Sequence, residues 1–98
     1  MYSKENQKPV AIPSQTEYIA VVGEELFFDG SQSYDPDGEI ITYVWDFGVQ
    51  TRITGKTSSY IYDTAGDYDA TLTVFDNQDK KDIAEIKITI IQPNNNPT

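Results

Sequence analysis

Apolar and polar residues alternate along most of this chain, and the alternation has a period of two. From residue 39 to 47, Ile41, Tyr43, Trp45 and Phe47 fall on one side, with Thr42, Val44 and Asp46 on the other. That spacing predicts a strand with one buried face. Similar runs cover residues 10–12, where Pro9 is tolerable at a strand's start, then residues 18–22 ending at Gly23. Residues 25–29 follow, with Leu26 and Phe28 facing one way, then residues 58–62. A final pair, residues 68–75 and 82–91, is joined by the turn Asp76-Asn77-Gln78-Asp79. Residues 49–57 carry no clear pattern. No helical stripe is sustained anywhere, so the chain reads as all-β.

Strand 39–47 follows a tight connection, Asp35-Pro36-Asp37-Gly38. Pro36 presets one backbone angle and Gly38 accepts a positive one. The strand carries Trp45, the single tryptophan. Its burial removes about 200 Å² from water, at most about 5 kcal/mol. Ile41, Tyr43 and Phe47 are expected beside it in the core. Leu72, Val74, Ile86, Ile88 and Ile90 are expected opposite.

Length and composition narrow the function. Ninety-eight residues suit one sandwich domain at residues 9–91, between polar linkers at 1–8 and 92–98. There is no histidine or cysteine. That removes the usual zinc sites, a Ser-His pair and a thiol nucleophile. Paired acids for glycoside hydrolysis would need a cleft to separate their pKa values, and a domain this small offers no obvious one. The chain is therefore read as non-catalytic. A net charge of -9 argues against nucleic acid and anionic membrane as partners. What remains is a solvated acidic surface or cation binding.

The wording of several segments is specific. Phe28-Asp29-Gly30-Ser31-Gln32-Ser33-Tyr34-Asp35-Pro36-Asp37-Gly38 leads to Tyr43-Val44-Trp45-Asp46-Phe47-Gly48. Tyr62, Ala65-Gly66-Asp67-Tyr68 and Leu72-Thr73-Val74-Phe75-Asp76 follow in order. In these residues the chain resembles the PKD (polycystic kidney disease) domain. Val49-Gln50 stands where that family usually continues with Asp-Gly. The resemblance implies an immunoglobulin-like two-sheet β-sandwich that spaces neighbouring domains of a secreted or cell-surface protein. A bacterial collagenase-type metalloprotease is the leading parent.

Strand direction adds a chemical expectation. The start of the first strand, the turn at Asp35 and Asp37, and Asp76 at the tip of strand 68–75 are predicted to share one end. Turn capping accounts for each aspartate singly but not for their convergence. A hard cation with oxygen ligands accounts for both, and irregular loop geometry suits calcium better than magnesium. The resemblance implies the same, since PKD-like domains of bacterial collagenases bind calcium at this linker. Carried over, the ligands are Asp35, Asp37 and Asp76, the Asn6 side-chain amide, and Gln7 through its backbone carbonyl. The EF-hand alternative fails, because Ile40 stands where that loop requires glycine and a strand follows instead of a helix.

Smaller features read as scaffold. Asp29 and Asp46 should bond nearby backbone groups, Tyr68 should tie its corner through the hydroxyl, and Lys80 and Lys81 should guard a strand edge. Tyr2, Tyr18, Tyr34, Tyr60 and Phe75 are more aromatics than the core needs. They keep open a second function, recognition of collagen or a polysaccharide; an adhesive surface repeat is a third. The domain itself is expected to be a monomer.

Overall fold

Alternation becomes seven strands in the computed structural model, which describes residues 7–93. They are β1 (Glu17–Val21), β2 (Glu25–Asp29), β3 (Ile40–Asp46), β4 (Arg52–Thr54), β5 (Thr57–Ile61), β6 (Gly66–Asp76) and β7 (Lys81–Ile91). Five form one sheet in the order β1-β7-β6-β3-β4, and β2 pairs with β5 in a second. Neighbours run antiparallel except β1, which lies parallel to β7. This is the expected two-sheet β-sandwich.

The core lies where the sheets face each other. Trp45 and Phe47 from β3 and its end, Leu72 and Val74 from β6, and Ile86, Ile88 and Ile90 from β7 are all buried. Leu26 and Phe28 meet them from the small sheet, with the Phe28 ring 5.6 Å from Trp45 and 5.1 Å from Phe47. Trp45 sits directly opposite Leu72, and its Nε1–H donates to the Gly55 carbonyl at 2.9 Å. Gly48 closes the strand at φ 80°, and a Cβ there would stand 2.7 Å from the Asp69 carbonyl oxygen. Only glycine fits that close approach.

Two hydroxyls secure the corners. Tyr68 donates to the Thr64 carbonyl at 2.6 Å, the expected corner bond, and buried Tyr62 donates to the Phe47 carbonyl at 2.7 Å. Asp46 accepts from the Gly48 N–H and Asp29 from the Ser31 N–H, both as expected.

Five expectations change, the smallest being that Gly38 does not take up the positive φ expected of it in the turn. Ile41 is not core: the β3–β6 register slips between Ile40 and Thr42, and this irregularity puts Ile41 outside at 60% exposure while Ile40 packs inward. Residues 10–12 form no strand, only a bridge between Val10 and Tyr34. Tyr18 is buried, with its hydroxyl donating to the Phe27 carbonyl, and Tyr60 stacks on Phe47 with ring centroids 4.7 Å apart. Of the supposed surface aromatics, Tyr34 is exposed and Phe75 half-buried, while Tyr2 lies outside the described residues. Finally, the unpatterned stretch contains β4, a short edge strand paired with β3.

Candidate functional site

One end of the sandwich gathers the incoming chain, the β2–β3 connection and the β6–β7 hairpin. Pairing of Ile40 with Asp76 lays the Asp35–Gly38 turn against that hairpin. The contact is close, since a Cβ on Gly38 would lie 3.2 Å from Asn77 Oδ1. Within the turn the Asp37 N–H donates to Asp35 Oδ1 at 3.0 Å, an Asx-type closure. Asp76 is fully buried, and its Oδ1 accepts from the N–H groups of Gln78 and Lys80 at 2.8 and 2.9 Å. These bonds hold the hairpin loop.

The three predicted carboxylates therefore meet, and Asp35 is the strained member. Desolvation pushes its carboxyl above the usual carboxylate range. Side-chain contacts with Asp37 and Asp76 and the charge of Asp37 push the same way, against the Asp37 N–H, which lowers it. Asp35 Oδ2 is buried without a hydrogen-bond partner among the described residues. An acidic oxygen left without a donor beside other carboxylates calls for a proton or a cation. Still, no three of His, Cys, Asp and Glu among the described residues form a ready-made metal cage.

The incoming segment is pinned here. Gln7 reaches the group through its backbone N–H, which donates to Asp37 Oδ2 at 2.8 Å. The carbonyl was the expected donor atom to a cation, so the recorded contact uses the other half of the peptide group. Asn6 lies outside the described residues. Val10 and Tyr34 exchange both backbone bonds, and the Ile12 N–H donates to Ser33 Oγ.

Asp82 completes the clamp and was not anticipated. It accepts from the Ala11 N–H at 2.9 Å and from Lys8 Nζ at 3.4 Å. No motif marks it, because its partners lie some 70 residues away in sequence. The Ala11 N–H, then the Lys8 contact, hold its carboxyl below the usual range despite partial burial. A depressed folded pKa gives stability that is present above the unfolded value near 3.9 and fades as pH falls through the folded one. Asp82→Asn should therefore lose about 1 kcal/mol at pH 7. Urea midpoints of the two proteins should converge below about pH 3.

The sequence profile of the PKD domain matches residues 6–90. The chain belongs to the PKD family. This PKD domain is 34% identical over 87 residues to collagenase ColA of Clostridium perfringens, covering 89% of the chain and 8% of that protein. It is 38% identical over 101 residues to the pre-pro-metalloprotease PrtV of Vibrio cholerae, covering 94% of the chain and 11% of that protein. The chain thus spans about a tenth of these relatives. Among solved structures, the PKD1 domain of Vibrio anguillarum Epp superposes with a TM-score of 0.76 at 30% identity, covering 91% of the chain and all of that domain. A chain from a study of carbohydrate-binding modules of the β-sandwich superfamily gives 0.81 at 36% identity, covering 91% of this chain and 36% of that one.

Proposed function

We propose that this PKD domain is a non-catalytic spacer in a larger secreted hydrolase of the collagenase or metalloprotease kind, and that calcium sets the joint where the chain enters it. The observation carrying this reading is the convergence of Asp35, Asp37 and Asp76 on the pinned segment at Gln7, with buried Asp35 Oδ2 taking no hydrogen bond among the described residues. The donor set is all oxygen and loop-borne, which suits calcium. Asp35, Asp37 and Asp76 would hold the ion, completed by Asn6 and Gln7 from the incoming chain, since the carboxylates alone make no closed cage. Bound there, calcium supplies the positive charge that the acidic group lacks. The residues of the clamp then fix the angle at which a preceding domain leaves.

Recognition of collagen or a polysaccharide is the second reading, favoured by the likeness to a chain studied for carbohydrate binding. It ranks lower, because Tyr18 is buried in the core and Tyr60 is partly covered by Phe47, so these two add nothing to an aromatic platform among the described residues.

Thermal melting tests the first reading. Extracellular calcium modules bind at roughly 10⁻⁴ to 10⁻³ M. At about 10 mM calcium, a site of about 0.5 mM affinity adds about 1.8 kcal/mol, which raises the melting midpoint by roughly 10 °C. Magnesium should do much less. An unchanged midpoint, or the same rise in Asp35→Asn, rejects calcium at this position.

A further inference from the structure

Every strand edge carries backbone groups that need an answer, and in this domain the edges are answered unequally. On β1, the Glu24 carboxylate accepts from the Val21 N–H, and the Gln15 side chain donates to the Glu17 carbonyl. On β2, the Tyr18 hydroxyl donates to the Phe27 carbonyl, and Ser14 bonds both the N–H and the carbonyl of Asp29. The half of β7 that β1 leaves uncovered carries Lys81, Asp82 and Glu85. β4 is three residues long and starts with Arg52.

β5 has none of these protections. Its sequence is Thr57-Ser58-Ser59-Tyr60-Ile61, without a charge. The Gly30 N–H donates to the Lys56 carbonyl, which sets the phase of the β2–β5 ladder. Ser58 and Tyr60 therefore bond inward to β2, while Thr57, Ser59 and Ile61 aim N–H and C=O groups away from it. Among the described residues those outward groups take no partner. Beside the edge stand exposed Phe27 and half-exposed Ile61.

We propose that β5 is a docking edge for an extended basic peptide segment of another protein, which adds to the β2–β5 sheet as a third strand. Main-chain bonds to Thr57, Ser59 and Ile61 give the affinity, and the apolar surface at Ile61 and Phe27 gives a footing. Charge selects the occupant. Glu24, Glu25 and Asp63 are exposed around the Ile61 end of the edge, whereas Lys56 precedes its other end and faces Asp29. A second copy brings the same acids and a net charge of -9, so like charges meet. A strand with lysine or arginine near Ile61 meets opposite charge.

The test uses a capped peptide of about ten residues, alternating threonine and valine, with two lysines at one end. Residue-resolved amide exchange on the full chain is the readout. Saturating peptide should slow the amides of Thr57, Ser59 and Ile61 at least about tenfold, leaving Ser58 and Tyr60 as they were. Ser59→Pro removes an outward donor without touching the β2 ladder and should weaken binding at least about tenfold. Should that variant not fold, Ser59→Lys keeps the backbone and repels the basic strand with the same expected loss. The same peptide with two adjacent prolines at its centre, equal in charge, should not bind. Equal binding of the proline peptide, or protection spread over the acidic ends, overturns the proposal in favour of bare charge attraction. Protection that grows with protein concentration without peptide, alongside a sedimenting dimer, overturns it in favour of a second copy.

Discussion

Trp45→Ala is expected to leave no stable fold at physiological temperature. The side chain is 1% exposed, touches Phe28 across the sheets, and supplies the only recorded donor to the Gly55 carbonyl among the described residues. Truncating a buried tryptophan costs about 3–5 kcal/mol, and a stranded carbonyl adds about 1 kcal/mol. A domain of this size has about 5–15 kcal/mol to lose and no disulfide to restrain it. The melting midpoint should fall by roughly 20 °C or more. Circular dichroism must follow it, as the variant lacks the chain's single tryptophan. Trp45→Phe keeps most of the volume and should lose less than half as much. Equal loss in both variants would place the stability in the Gly55 bond instead of the packing.

The same residue shows what a sequence of this kind discloses. Period-two alternation is a direct image of a strand with one wet face, so Leu26, Phe28, Trp45, Leu72, Val74, Ile86, Ile88 and Ile90 all lie in the core as expected. The alternation misleads at Ile41, because the slip before Thr42 reverses the phase of one residue without leaving a local mark. β4 was illegible for another reason: three residues cannot establish a period, and its pairing with β3 is a tertiary fact. The meeting of Asp35, Asp37 and Asp76 followed from strand direction, which a turn and a hairpin reveal locally. The parallel placement of β1 beside β7 and the reach of Asp82 to Ala11 depend on contacts between the two ends of the chain. No local pattern encodes them.

Asp76→Ala should be the most damaging change at the acidic end, and the reason is acceptor chemistry more than charge. Two opposing effects follow from removing this buried carboxylate. Its contact with Asp35, which helps hold that neighbour's carboxyl above the usual range, disappears and favours the variant. The N–H groups of Gln78 and Lys80 lose their shared acceptor, which disfavours it. Bonds to a charged acceptor contribute about 1.5–3 kcal/mol each, and water can reach the exposed loop residues to recover part of that. A net loss of about 2 kcal/mol remains, or roughly 8–16 °C in melting midpoint. Asp76→Asn separates the two effects. Its amide oxygen still accepts from both N–H groups while the charge beside Asp35 is gone, so its midpoint should stay within a few degrees of the parent without calcium. Under the proposed function the same variant should also lose most of the calcium response. If Asp76→Asn instead falls as far as Asp76→Ala, the full negative charge holds the hairpin, and the acidic end is built to keep that charge without a metal.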